Sequence, residues 1–428
     1  MIYIKNASIC LEDDSFKDVD LTIENGIISY IGKLPQSTTE DCVTIDAQGM
    51  LLVPSFIDPH VHLREPGFEY KEDFITGTNA AIKGGFGKVC CMPNTKPSPD
   101  TPESLSSIME LAKTKGKIPC YFFSPLTYGL KGEKLVDFEE LVKTGAIGFS
   151  DDGKGLQNAG LMALAMKRIS NIDSIITAHC EDESLLFDGY IHDGIYARNN
   201  NHKGISSASE SVQVARDVLL ALDHDTRYHV CHISTKESLA MVEYGKTRKG
   251  KISCEVTPHH LLLCDEDIEE DGLYKMNPPL RSREDMIELR IALSSGLIDC
   301  IATDHAPHAR TEKNKGLRDS AFGIIGLETA FSLLYTKLCK EGKLPLWTLI
   351  NAMTKAPADI FRIPCGEIRL GGIADLILID LSKQWEISED ELESKSNNTP
   401  FLGERVFGYI DTVILDDKIK LRGGKIVE

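Results

Sequence analysis

The chain has 428 residues, enough for a large core and more than one folded unit. Its 47 Lys and Arg against 65 Asp and Glu give a net charge of −18, which argues against nucleic acid or an anionic membrane as partners. No apolar run reaches the roughly 18 residues of a transmembrane helix, and residues 1–10 lack the basic start and long apolar core of a signal peptide.

In chain order, the first 53 or so residues read as short alternating strands, at 18–23 and 26–32. Asn25-Gly26 is a hairpin turn signal between them. The same style returns from about 366, in 374–380, 405–415 and 418–428, while 388–400 is polar and reads as a loop. Neither end alone has enough strands for a stable sheet. Residues 1–53 and 366–428 are therefore expected to build one small β-sandwich together.

Between them, 54–365 alternates β-rich runs with helix-length segments such as 206–222 and 284–295. The runs fall at 55–62, 86–93, 119–126, 146–152, 174–180, 227–234, 251–259 and 298–305. Most are nearly continuous in Val, Ile, Phe, Cys and Ala, as parallel strands buried on both faces must be. Eight strand-then-helix units predict an α/β chain built on a (β/α)8 barrel.

Metal-capable side chains collect at the ends of these runs. His60 and His62 share one face at a period of two, a chelating geometry for a divalent metal. Asp151-Asp152 end the fourth run and His179 the fifth; His232 falls near the end of the sixth, and Asp304 ends the eighth. Barrel active sites assemble at that C-terminal face. Arg64 follows His62 at the same period and offers a fork of donors for a carboxylate. The plainer alternative pairs Arg64 with Glu65 or Glu69.

Several segments carry a family resemblance. They are His-Val-His-Leu-Arg-Glu-Pro-Gly at 60–67, Met-Pro-Asn-Thr at 92–95, Phe-Ser-Asp-Asp-Gly at 149–153 and Ala-His-Cys at 178–180. Cys-His-Ile-Ser at 231–234, Asn-Pro-Pro-Leu-Arg at 277–281 and Thr-Asp-His-Ala-Pro-His at 303–308 continue the series. Together they resemble the amidohydrolase superfamily and, within it, dihydroorotases of the longer, bacterial-type class.

That resemblance implies two zinc ions. His60, His62, Asp152 and Asp304 would hold one, and Asp152, His179 and His232 the other, with Asp152 bridging. Choosing Asp152 over Asp151 follows family spacing, and from the residues alone either could serve. Lys154 must be excluded as a carboxylated bridging lysine. The resemblance further implies that the metals activate a water and that Asp304 takes its proton and returns it to the departing nitrogen. Arg64, Asn94 and Asn277 would contact substrate, with His308 assisting and the Phe322-Gly323 backbone holding the ring.

The implied reaction interconverts L-dihydroorotate and N-carbamoyl-L-aspartate reversibly, in pyrimidine (UMP) synthesis. An allantoinase or other cyclic-amide hydrolase is the enzymatic alternative, and a non-catalytic scaffold of the superfamily is the other. A homodimer and association with aspartate transcarbamoylase stay open, and a cytoplasmic location is expected.

Weaker signals remain. Cys90, Cys91, Cys180, Cys231 and Cys300 read as small core residues in a reducing compartment. His259-His260 read as structural, His305 as an orienting residue, and His192, His202, His224 and His229 lack a ligand-like context. The charged stretch 309–320 is expected to be a mobile loop closing over substrate, with a solvated connector as the alternative. Two departures from the family pattern stand beside the site. Gly87-Lys88 replaces the usual Thr-Thr, and Ala321 replaces a common Pro, which questions the stiffness of the following turn.

Overall fold

The computed structural model describes residues 1–34 and 42–427. Eight parallel strands follow one another around a sheet: β1 (Phe56–Val61), β2 (Phe86–Cys91), β3 (Cys120–Ser124), β4 (Gly148–Phe149), β5 (Ile175–Ala178), β6 (Arg227–Val230), β7 (Ile252–Val256) and β8 (Cys300–Ile301). The ring closes just beyond β1, where His62 N donates to His305 O at 2.9 Å. This is the expected (β/α)8 barrel.

The strands stop short of the ranges read from sequence, most of all β4 and β8. Just past β1, β6 and β8 the backbone turns. Arg64 (φ 63°), His232 (φ 30°) and Asp304 (φ 48°) sit in the left-handed region, which ends a ladder and re-aims the side chain. The residues of interest therefore occupy turns at the strand ends.

Local sequence explains the helices that enclose the barrel. Ala208–His224 buries Val214, Val218 and Ala221 at helical spacing against the sheet. Arg283–Ser294 starts at Ser282, whose side chain accepts from Asp285 N in a reciprocal capping box.

The chain ends form one sheet of nine strands. The strand Leu51–Pro54 pairs antiparallel with Leu376–Glu386, joining the N-terminal strands to the C-terminal ones. Ile28 N donates to Gly372 O and Ala374 N to Gly26 O, so the sheet curls back on itself. Its two halves enclose Ile4, Leu21, Ile23, Leu376 and Leu378, which gives the expected sandwich as a single curled sheet. Asn25 (φ 53°) and Gly26 (φ 73°) form the expected hairpin turn.

The Gly87-Lys88 departure has a structural purpose at the junction of barrel and sheet. A Cβ on Gly87 would lie 2.2 Å from Ser55 Oγ, so only glycine fits. Lys88 Nζ donates to Asp375 Oδ2 at 2.5 Å. No helix among the described residues is long and apolar enough to cross a membrane.

Phe56 anchors the barrel base. Its ring lies 5.6 Å from Phe86 and 5.3 Å from Phe331, with none of its surface exposed. We predict that Phe56→Ala costs about 3–5 kcal/mol. Urea unfolding checks this, and a loss under about 1 kcal/mol would show that the base repacks freely.

Candidate metal centre and substrate cavity

Four histidines and two aspartates from five strand ends meet at one point. His60 Nε2 lies 3.5 Å from Asp152 Oδ1 and 3.6 Å from Asp304 Oδ1. His62 Nε2 lies 3.1 Å from Asp304 Oδ1 and 3.6 Å from Asp152 Oδ2. His232 Nε2 is 3.8 Å from Asp152 Oδ1 and 3.1 Å from His179 Nδ1. All six side chains are buried.

The donor set fits a divalent metal. His60 Nε2 and Asp152 Oδ1 are buried without a hydrogen-bond partner among the described residues. Ligand atoms of His60, His62 and Asp304 lie within 4.8 Å of one another, as do those of His60, Asp152 and His232. Neutral imidazoles with carboxylates are the ligands such a metal takes. Burial pushes the Asp304 carboxyl up, but the His62 hydrogen bond and the charges of His60, His62 and His232 hold it below the usual range. Asp152 is likewise held low against its burial, chiefly by His60. Both stay ionised at neutral pH.

Asp151 turns away from this cluster. Its carboxylate accepts from Leu126 N at 2.8 Å, Thr127 N at 3.1 Å and Thr127 Oγ1 at 2.5 Å, and so fixes the loop after β3. Lys154 is exposed to solvent and does not line the cluster.

Above the cluster is a cavity of about 220 Å³. Every residue expected from the sequence as a metal ligand or substrate contact lines it except His60. Arg64 Nε donates to Pro307 O at 3.1 Å, and its Nη2 lies 3.3 Å from His308 Nε2. Neither Glu65 nor Glu69 takes Arg64. Glu65 accepts from Lys115 Nζ and Phe74 N, and Glu69 from Gly67 N. Burial lowers Arg64 to about 10, which leaves it charged. Burial and the charges of Arg64, Lys71 and Lys313 lower His308 to about 3, so its imidazole is neutral.

Asn94 Oδ1 lies 2.9 Å from His62 Nδ1, and its Nδ2 donates to Asp152 Oδ2 at 3.2 Å. Asn277 Nδ2 donates to Glu181 Oε2 at 3.2 Å and lies 3.4 Å from His179 Nε2. The backbone of Gly323 is committed to the protein. Its N–H donates to Lys275 O at 3.0 Å, and its carbonyl accepts from Lys313 Nζ and Asn398 Nδ2. A larger cavity of about 740 Å³, between the helix Pro102–Lys115 and the strand Lys418–Arg422, contains none of these groups.

Sequence reading missed the supports behind the cluster. Glu255 on β7 is fully buried; its Oε1 lies 2.8 Å from His60 Nδ1 and its Oε2 3.1 Å from His229 Nε2. Burial raises this carboxyl, yet the two histidines bring it down to about 2. His229, which lacked a ligand-like context in sequence, continues to Ser253 Oγ at 2.7 Å. The available signal was a lone glutamate inside the apolar strand Ile252–Val256. His260 acts structurally, with Nδ1 2.7 Å from Thr257 Oγ1 and Nε2 3.0 Å from Pro278 O. His305 Nδ1 accepts from Gly326 N at 3.2 Å, and its Nε2 lies 3.5 Å from Glu72 Oε2.

Residues 49–238 match the family model described as "Dihydro-orotase-like". The chain is 46% identical over 427 residues to the dihydroorotase of Listeria monocytogenes, covering 100% of both chains. It is 45% identical over 426 residues to that of Bacillus subtilis, covering 99% of each. In fold it resembles the L-hydantoinase (dihydropyrimidinase) of Arthrobacter aurescens, with a TM-score of 0.90 at 24% identity over 100% of this chain and 97% of that one.

Glu255→Gln keeps the shape and removes the charge behind His60. We expect divalent-metal affinity to fall by about 10–100-fold in chelator competition, with little change in fold by circular dichroism. Unaltered affinity would show that Glu255 only fills space.

Proposed function

The chain belongs to the dihydroorotase family, and we infer on that premise that it interconverts L-dihydroorotate and N-carbamoyl-L-aspartate as a metal-dependent cyclic amidohydrolase. This reaction serves pyrimidine (UMP) synthesis. Full-length identity to curated dihydroorotases is the observation that carries it. The intact set of six metal-capable side chains supports catalysis over the non-catalytic scaffold.

We propose two zinc ions. His60, His62, Asp152 and Asp304 would hold one, and Asp152, His179 and His232 the other. Bound there, the ions would supply Lewis acidity and lower the pKa of a water towards neutrality.

The remaining chemistry belongs to the chain. Arg64, charged and without a carboxylate of its own, reads the substrate carboxylate with a fork of donors. Asn94 and Asn277 donate amide hydrogens to substrate oxygens, and neutral His308 holds the Arg64 side of the cavity. Phe322 and Gly323 form the wall against the ring. Asp304 stays ionised before turnover and accepts the proton of the attacking water at a carboxylate oxygen. It then delivers that proton to the ring nitrogen as the amide bond breaks. Ring closure runs the same transfers backwards.

We further propose a division into a sheet unit of 1–53 and 366–428 and a barrel unit of 54–365. A cytoplasmic location, a homodimer and association with aspartate transcarbamoylase complete the reading, and gel filtration with and without the transcarbamoylase tests the last two.

The decisive experiment measures metal content and hydrolysis of dihydroorotate, allantoin and hydantoin together. Dihydroorotate should be strongly preferred, and preference for allantoin overturns the substrate. Chelation should abolish turnover, and zinc should restore it. Asp304→Asn should lower kcat by about 10²–10⁴-fold; full turnover removes its proton-transfer role. Arg64→Met should raise KM for dihydroorotate by about 10²-fold or more, since a charged partner is lost. Equal KM values in the two proteins would return Arg64 to a structural role.

A further inference from the structure

The segment expected to be a mobile loop contains a buried lysine that the chemistry above does not use. Residues 310–319 form two short helices, Arg310–Lys313 and Gly316–Asp319, and Lys313 is only 1% exposed. Its Nζ donates to three backbone carbonyls: Lys275 at 2.9 Å, Ala321 at 2.9 Å and Gly323 at 2.8 Å. An ammonium has three N–H donors, so this arrangement uses all of them.

The three carbonyls belong to two segments that meet at the cavity. Lys275 lies two residues before Asn277, and Ala321 and Gly323 flank Phe322. Gly323 N closes the same gap by donating to Lys275 O. From the opposite side, Asn398 Nδ2 donates to Gly323 O and Ala306 O, both at 3.0 Å. Gly323 has φ +137°, and a Cβ there would lie 2.8 Å from that of Ala306, so the turn has no slack.

We propose that Lys313 is a positioning residue for the substrate ring: its ammonium staples the Phe322–Gly323 turn to the segment that carries Asn277. On this account 309–323 is a fixed wall of the cavity, and the expected lid motion is absent. The inference rests on assigning that cavity to dihydroorotate. Chemistry favours a deliberate staple over incidental packing. Burying an amine is costly, and an apolar side chain of equal length would fill the same space. One ammonium reaches all three converging carbonyls, whereas Gly323 N and Asn398 Nδ2 each reach only one of them. Burial and the nearby Lys275 charge draw Lys313 down to about 7, with Asp271 opposing, while three carbonyl acceptors favour the ammonium, since a neutral amine has only two N–H donors.

That enclosure makes a test possible on the unmodified protein. Acetic anhydride labelling, mapped by mass spectrometry, is run with and without saturating N-carbamoyl-L-aspartate. Exposed lysines such as Lys143 should label in both conditions, and Lys313 in neither. Labelling of Lys313 in the free protein, with protection by ligand, means a moving lid and overturns the staple.

Lys313→Met then tests positioning. KM for dihydroorotate should rise about tenfold, with kcat within about threefold and metal content unchanged. An unchanged KM, with or without a fall in kcat, overturns the positioning role. If Lys313→Met does not fold, the labelling result decides. Failure of the unmodified protein to turn over dihydroorotate would sink the functional assignment and leave the labelling result intact.

Discussion

The barrel mouth depends on holding two carboxylates and four imidazoles within hydrogen-bond or ion-pair distance, almost out of contact with water. Asp152 is 4% exposed and Asp304 6%. Desolvation opposes both charges, and the surrounding imidazoles outweigh it only at these short distances. Small displacements would therefore remove the compensation and leave the cost. Much of the nearby architecture prevents such displacement. His232 and Asp304 are aimed by left-handed backbone, each on the order of 1–3 kcal/mol of strain that only a stiff frame sustains. Glu255 holds His60 from behind, and Asp58 accepts from Thr303 Oγ1 at 2.5 Å, beside Asp304.

That frame draws on the far end of the chain. The polar stretch between Leu376–Glu386 and Arg405–Leu415 returns to the mouth of the barrel. Ser394 Oγ donates to Glu72, and Glu393 N donates to Glu328 Oε1 at 2.6 Å. Glu72 reaches His305, the neighbour of Asp304. His308 N donates to Asn398 Oδ1 at 3.1 Å. Burial, the main effect, and the charge of Glu72 push Glu328 up to about 8 against the Glu393 and Ser394 amides. The C-terminal segment is part of the mouth, and the curled sheet anchors both of its ends.

Sequence disclosed what depends on periodicity and spacing. Continuous apolar runs located all eight barrel strands, because a buried parallel strand has no polar face to interrupt it. His60, His62, Asp152, His179, His232 and Asp304 were visible as chemistry at strand ends, and the structure gathers them. Glu255 and Lys313 were not visible. A carboxylate meaningful only opposite His60, 195 residues away, leaves no local pattern. Lys313 lies in a stretch of charges that reads as solvated, yet its backbone turn directs it inward to three carbonyls. The questioned stiffness after Ala321 has the same answer, since Lys313 supplies from the side chain what a proline would supply from the backbone.

The same distribution explains how a chain of net charge −18 accepts an anion. Its cations and carboxylates are segregated within the cavity. Charged Arg64 and neutral His308, backed by Lys71 Nζ 3.2 Å from His308 Nδ1, form one side, and Asp152 and Asp304 the other. Over a few ångströms in a poorly screened site, this local dipole outweighs a diffuse surface charge. A ligand with a carboxylate at one end and an amide at the other has one favourable orientation, carboxylate toward Arg64 and amide toward Asp304. A ring lacking the carboxylate would leave the desolvated guanidinium with only its neutral partners, Pro307 O and His308. On the proposed role of Arg64, specificity in this site would arise from the cost of leaving it without a carboxylate as much as from the gain of supplying one.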